Sequence, residues 1–485
     1  MAMRSEAPSP FACEETSVAD ATLYDLVVIG SGPGGYVGAI RAGQLGQKVA
    51  LVEKDPFFGG TCLHRGCIPA KALLHDAAVF HQTLHALAHG VVAENVRLDF
   101  GKVQSRKDGI IKKLAKGVEF LLKKNKVETF TGLGKLVSPD TVEVRKQDGS
   151  TVRVRGKNIL LATGSVPRGL PGLEFDGDRV IHSDHVLALP VVPESMIILG
   201  AGAVGVEFAS AFVRFGSRVT VIELLDRVVP VEDADISKEL ERSLRKQKIE
   251  IHTSTKFEKV ENTAKGVRVT ATTTKGETKT FEAAKLVVAV GRRPVSEGLG
   301  YEEAGVKLEH GFVVVDPYMR TSVKNIYAIG DLVPTPGFAH TASSEAVLVA
   351  EQIAGHTVQP LNYELTPNCT YCEPEIGSVG LTEAKARERG HEVKTGKFSL
   401  GVLGRTLILG EPEGMVKIVA DAKYREILGV HIIGARATEM VAEAVMAMTN
   451  EATVDEMVHM QHAHPTVHEG IKEAAEAVFG TSIHG

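Results

Sequence analysis

Tyr24-Asp25-Leu26-Val27-Val28-Ile29-Gly30-Ser31-Gly32-Pro33-Gly34-Gly35 is the stretch that decides the fold. Its first six residues read as a strand buried on both faces, the habit of a parallel sheet. The turn with glycines at Gly30, Gly32 and Gly35 follows. A small-residue helix then spans Tyr36–Leu45, and a second strand, Lys48–Val52, ends in Glu53. Strand, glycine turn, helix, strand and acid, in that order, make a dinucleotide cradle. The glycines let the backbone close on a pyrophosphate, the helix N-terminus offers amides, and the acid suits a ribose hydroxyl. A lone glycine turn would say little; the complete context says much more.

The pattern recurs. Met196–Leu199 reads as a strand, Gly200, Gly202 and Gly205 form the turn, Val206–Phe215 is the helix, and Arg218–Ile222 is the strand ending in Glu223. Each copy carries its own acid, so two separate dinucleotides are expected. Glu223 would repel a 2′-phosphate, which favours NAD over NADP in the second cradle.

Two further apolar runs end in turns. Asn158–Ala162 leads to Thr163 and Gly164, and Asn325–Ile329 leads to Gly330 and Asp331. Each brings small residues or an acid to the edge of a doubly wound sheet, where ligands bind. Beyond Pro360 the character changes. Alternating strands Met415–Ala420 and Ile427–Ile433 precede a helix over Ala437–Asn450, which predicts an α+β unit without a cradle. The expected fold class is therefore α/β, with two Rossmann-like units and a C-terminal α+β unit. Its expected divisions are a disordered tail over 1–20, a first nucleotide unit over 21–165 and 292–360, a second over 166–291, and the last unit over 361–485.

Gly59-Gly60-Thr61-Cys62-Leu63-His64-Arg65-Gly66-Cys67-Ile68-Pro69-Ala70-Lys71 is the most specific stretch. The glycines allow the backbone to bring both sulfurs together, just after the first cradle. A nicotinamide accepts only a hydride, whereas a flavin also accepts a thiolate. A dithiol beside a dinucleotide therefore points to FAD in the first cradle.

Composition excludes several classes. The 485 residues carry 55 Lys and Arg against 60 Asp and Glu, a net charge of −5, with no basic excess for nucleic acid. Trp is absent, which removes the usual stacking platforms of a single-strand binder. No apolar run is long enough for a membrane span. The first twenty residues lack the features of a secretory or mitochondrial leader. Five cysteines in so long a chain do not make a secreted disulfide scaffold, so a cytoplasmic protein with catalytic rather than structural redox cysteines is expected.

Near the C-terminus stand His462, His464, Pro465, His468 and Glu469. Thiol–disulfide exchange runs through the thiolate, so a histidine beside Cys62 would speed both attack and departure, and a carboxylate could fix its tautomer. A metal cluster of His462, His464 and His468 competes with this, but it lacks a clear fourth ligand. No metal is expected.

From Tyr24 onward the chain resembles the flavoprotein disulfide reductases. The resemblance implies that Cys62 exchanges with substrate and that Cys67 faces the flavin as a thiolate. It places Lys71 near the flavin, paired with Glu207, and gives Asp331 the ribityl chain. It also implies FAD contacts at Lys54, Gly60, Thr61, Thr163, Gly164 and Ala339, and an NAD contact at Gly291. His464 becomes the base, oriented by Glu469, with a cis bond to Pro465, and it serves the opposite subunit of a homodimer. His64-Arg65 stands where Asn-Val is common in the family, and Ala70 where Ser is common; no reacting atom is lost.

Within the family the wording around Cys62 and Cys67 sits nearest the lipoamide branch. That implies a lipoyl-bearing acyltransferase or carrier protein of a multienzyme complex as partner. The glutathione branch usually has basic residues where Glu223 stands, and the mercuric branch ends in a vicinal cysteine pair absent here. A scaffold or redox-sensing subunit is a different class, disfavoured because Cys62, Cys67, Lys71, His464 and Glu469 are all present.

Two features are expected to mean little. Cys369 and Cys372 form a CxxC on an extended segment, where residues three apart point to opposite faces. His81, His85 and His89 are spaced to share a helix face that could capture a metal adventitiously, and a solvated face is the expected account.

Overall fold

The computed structural model describes residues 22–485, so the expected tail over 1–20, with Cys13, lies outside the described residues. Among the described residues three main sheets organise the chain. The first has the strand order Glu128–Thr131, Val49–Glu53, Leu23–Ile29, Thr151–Leu161, Thr141–Arg145, Leu133–Ser138, and Ile326–Ala328 also pairs with Thr151–Leu161. The nucleotide half is parallel and the hairpin end antiparallel. Leu26 to Ile29 are all buried, as a strand covered by helices on both faces requires.

The second sheet is parallel throughout, in the order Glu250–His252, Arg218–Ile222, Ser195–Leu199, Lys285–Val288, Val180–His182. An antiparallel sheet of Thr255–Thr263, Gly266–Thr273 and Thr278–Ala283 is inserted before its return strand. The chain enters and leaves this unit through Ser165–Pro167, which pairs antiparallel with Arg292–Pro294.

Both cradle helices start three residues earlier than the sequence suggested, at Pro33–Gln44 and Ala203–Arg214. Pro33 and Gly34 look like turn residues. Yet proline suits the first helical position, where its missing N–H has no partner to lose. Glu53 belongs to its strand, Val49–Glu53, rather than following it.

The third sheet is antiparallel, in the order Asn368–Thr370, Glu375–Gly380, Ile427–Gly434, Gly414–Asp421, Val393–Ser399. Ile427–Gly434 is buried at every position rather than alternately. Helices Ala437–Thr449 and Glu469–Val478 pack on the sheet, and Ala234–Lys246 of the preceding unit also lies against Ile427–Gly434. Lys417, 1% exposed, fixes that junction. Its ammonium lies 2.8 Å from Asp233, 2.6 Å from Asp235 and 2.8 Å from Glu383. The fold class read from the sequence, two Rossmann-like units followed by an α+β unit, is the one observed. Among the described residues no helix is long and apolar enough to cross a membrane.

Candidate active site

The first cradle separates the tasks of its glycines. A Cβ on Gly35 would sit 1.8 Å from the Gly30 carbonyl oxygen, so this position is demanded by helix–turn packing. A Cβ on Gly32 would meet nothing within 4 Å. Packing among the described residues does not require glycine there, and the open space at the N-terminus of Pro33–Gln44 suits a pyrophosphate. Glu53 is buried, accepts from Ser31 N at 2.8 Å and Asp55 N at 2.9 Å, and so ties the turn to its strand. A carboxylate retains lone pairs for a ribose hydroxyl after such bonds.

The redox loop packs directly on this cradle. Gly60 has φ +57°, and a Cβ there would stand 2.5 Å from Gly32 Cα. One cavity of about 410 Å³ is lined by Gly30, Gly32, Glu53, Lys54, Gly60, Thr61, Cys62, Cys67 and Lys71. Thr163, Gly164, Glu207, Asp331 and Ala339 line it too. These cradle residues, with an open approach over Gly32, suit FAD.

Cys62 lies on the short helix Gly60–Arg65, and Cys67 is the first residue of Cys67–Leu84. Both are free, half-buried thiols. A hydrogen bond from the Cys62 thiol is the main influence drawing the Cys67 pKa below the ordinary thiol value; Lys71 and the helix backbone add to it against burial. The same bond, with burial, pushes Cys62 up. These opposite shifts make Cys67 the more acidic thiol of the pair.

Lys71 is one turn along the same helix. Its Nζ donates to Glu207 Oε1 at 2.9 Å and Oε2 at 2.8 Å. Glu207 Oε1 also accepts from Tyr371 N at 2.9 Å, and the Tyr371 ring covers Lys71 Nζ at 4.5 Å. Nothing in the sequence singled out Tyr371, because its partners lie on two other units. Glu207 shares Ala203–Arg214 with Val204 and Phe208, which also line the cavity. That face brings the second cradle's helix against the first cavity.

The second cradle repeats the first. A Cβ on Gly205 would lie 1.9 Å from the Gly200 carbonyl oxygen, and one on Gly202 would meet nothing within 4 Å. Glu223 accepts from Ala201 N at 2.6 Å and Leu225 N at 2.8 Å, as Glu53 does in its copy. Gly291 has φ +110° with open space at its Cβ position. These residues suit NAD by the same test.

Asp331 stands on the turn Gly330–Leu332 and accepts from Ser165 Oγ, which in turn accepts from Arg292 Nε at 2.7 Å. Ser165 and Arg292 line the cavity but were not foreseen. Gly330 N is held by the buried Glu345 at 2.7 Å, and Ala339 opens the helix Ala339–Ile353, so its amide end faces the cavity.

His464 and Glu469 are brought together, but not with the cysteines. His464 Nδ1 lies 2.8 Å from Glu469 Oε1, and the His464–Pro465 bond is cis. Burial would raise the Glu469 pKa; His464 and the Thr466 amide outweigh it and lower it. Neither residue lines the cavity, and the His464 side chain is 78% exposed.

The histidine stripe breaks after its second member: the His81 and His85 rings lie 4.2 Å apart, but His89 is separated from them. The helix ends at Leu84, His85 caps it, and His89 belongs to the separate turn Ala86–His89, so the spacing outruns the helix. Among the described residues no cluster of three or more His, Cys, Asp or Glu is arranged for a metal. His462 and His468 instead share Glu443. Cys369 and Cys372 are both free. The strand stops at Thr370, so alternation does not govern the pair; their sulfurs turn to different carbonyls, of Thr438 and Pro374.

Residues 24–346 match the pyridine nucleotide-disulphide oxidoreductase family, and 366–475 match its dimerisation domain. A dihydrolipoyl dehydrogenase of Bacillus subtilis (strain 168) is 44% identical over 474 residues, covering 96% of this chain and all of that one. A mitochondrial dihydrolipoyl dehydrogenase of Pisum sativum is 41% identical, covering 95% and 92%. A leghemoglobin reductase of Glycine max is 40% identical, covering 94% and 87%. Among solved structures, LpdA from Mycobacterium tuberculosis superposes with TM-score 0.86 at 26% identity, covering 93% of this chain and 99% of that one.

Proposed function

Because this chain belongs to the pyridine nucleotide-disulphide oxidoreductase family, we propose that it acts as a dihydrolipoyl dehydrogenase, reoxidising protein-bound dihydrolipoamide and reducing NAD⁺ to NADH. The single observation that supports this most is one cavity shared by the first cradle, Cys62, Cys67, Lys71 and the Glu207 face of the second cradle's helix. We assign 21–165 with 292–360 to FAD, 166–291 to NAD and 361–485 to the subunit interface. The dimerisation-domain match supports a homodimer.

In this account the substrate thiol loses its proton to His464 of the second copy, whose Nδ1 is oriented by Glu469. The thiolate attacks Cys62 of the Cys62–Cys67 disulfide, and Cys67 leaves as thiolate, the form its surroundings favour. The second substrate sulfur then attacks the mixed disulfide, releasing oxidised lipoamide and a Cys62–Cys67 dithiol. FAD held in the cavity beside Cys62 and Cys67 would supply an acceptor for the sulfur electron pair and a hydride donor for NAD⁺. Lys71, held by Glu207, stands beside the cysteine pair. Gly30, Gly32, Glu53, Asp331 and Ala339 would hold FAD; Gly200, Gly202, Gly205, Glu223 and Gly291 would hold NAD.

The lipoyl group comes from an acyltransferase or carrier protein of a multienzyme complex. The sparse, odd cysteine set fits the cytoplasm. Steady-state oxidation of dihydrolipoamide tests the assignment, with NAD⁺, NADP⁺, glutathione disulfide and mercuric ion as the comparison panel. Robust turnover with dihydrolipoamide and NAD⁺ is expected. A FAD-loaded protein that turns over only another member of the panel, or nothing, overturns it.

A further inference from the structure

The base-bearing loop needs a support that Glu469 alone does not supply. Between helices Val454–His459 and Glu469–Val478 the chain has no regular structure, and His464 stands at the exposed tip. A reacting group must be held to within about 0.5 Å, and loops do that poorly without a supporting shell.

We propose that Glu443 is a positioning residue for His464, gripping its loop from both sides. Glu443 lies on a separate helix, Ala437–Thr449. Its Oε1 is 2.8 Å from His462 Nε2 and its Oε2 is 2.7 Å from His468 Nδ1. The two histidines flank His464, so one carboxylate fixes the segment on either side of the base.

The chemistry of the three groups agrees. The His462 side chain is 3% exposed, and among the described residues its Nδ1 has no hydrogen-bond partner. A proton there would be a buried orphan donor, so the proton belongs on Nε2, aimed at Glu443. Burial would raise the Glu443 pKa, but the two histidines overcome it and bring it down to about 2. Glu443 in turn raises His468. Thr466 Oγ1 closes the loop on the Ala463 carbonyl at 2.8 Å. Neither His462 nor His468 has a role in the proposed chemistry, which leaves the clamp as their use.

This inference rests on His464 being the base, so His464→Ala is measured alongside. In the FAD-loaded full-length enzyme, Glu443→Ala should lower kcat for dihydrolipoamide oxidation about 10-fold or more, since small misplacements of a catalytic group are costly. NADH-driven reduction of ferricyanide, which bypasses the thiols, should be unchanged, as should the KM for NAD⁺. Glu443→Gln keeps one acceptor and gains a donor, so it should recover part of the loss. His468→Asn, at a half-exposed position, gives a second variant if Glu443→Ala folds poorly, with the same selective loss expected.

Thiol turnover within about twofold of wild type in these variants overturns the clamp. A parallel loss of ferricyanide reduction also overturns it, since that marks a general structural role. If His464→Ala itself leaves thiol turnover intact, the base assignment fails first. If His464→Ala falls and the Glu443 and His468 variants do not, only the clamp fails.

Discussion

Lys71 Nζ, on the helix that begins at Cys67, lies 2.8 Å from Glu207 Oε2, on the helix of the second cradle. This contact joins the two nucleotide units at the cavity that Cys62 and Cys67 also line. Lys71 also favours the thiolate forms of both Cys62 and Cys67. Lys71→Met should therefore move thiolate formation in the reduced enzyme to higher pH, read from the pH dependence of alkylation. It leaves Glu207 buried with only the Tyr371 amide, so a stability loss of about 3 kcal/mol is expected in urea unfolding.

The glycines of the second cradle should separate binding from folding. Gly202→Ala adds a Cβ to open space, so the FAD-loaded protein should fold normally while the KM for NAD⁺ rises about 10-fold or more. Gly205→Ala drives a Cβ to within 1.9 Å of a backbone oxygen and should lower the melting temperature as well. Titration of NAD⁺ binding together with thermal melts checks both.

The lowered pKa of Cys67 has a spectroscopic consequence. On the proposed electron path a Cys67 thiolate against the flavin should give long-wavelength absorbance in the partly reduced enzyme. That absorbance should persist as pH drops below the ordinary thiol range, then bleach only as pH falls through the lowered Cys67 value. A pH titration of the half-reduced enzyme reads this directly.

Lys417 predicts an acid-sensitive junction. Lys417 lowers the pKa values of Asp233 and Glu383, and Lys397 together with Lys417 lowers that of Asp235. For Asp233 and Asp235 burial opposes the shift and is overcome. Their folded values lie below the unfolded ones, so they contribute stability above the ordinary carboxylate range and lose it as pH falls through the folded values. Lys417→Met should destabilise the protein by about 3–5 kcal/mol at neutral pH. The gap to wild type should narrow in acid. Urea unfolding at several pH values checks the sign.

Much of this was legible in the sequence because certain residues report geometry. Gly30 and Gly35 stand where a tight turn and a helix contact demand glycine, Gly32 leaves open space at the helix start, and Gly200, Gly202 and Gly205 repeat the pattern. Cys62 and Cys67 stood out by type and by their place just after the first cradle, and the structure brings both to its cavity; their separate roles came only from the family resemblance. Tyr371, Ser165, Arg292 and Glu443 were silent because ordinary residue types gain their roles only through partners distant in the chain. The histidine stripe failed for another reason. Periodicity describes a helix face but not where the helix stops, and the break after Leu84 removed the face.

The electron path through the cysteine pair is tested most directly by anaerobic reduction of the FAD-loaded protein with one equivalent of dihydrolipoamide. Wild type should develop the long-wavelength band and then yield NADH when NAD⁺ is added, while Cys67→Ser should show no such band. An unreduced wild-type flavin, or a band that survives in Cys67→Ser, would contradict the account.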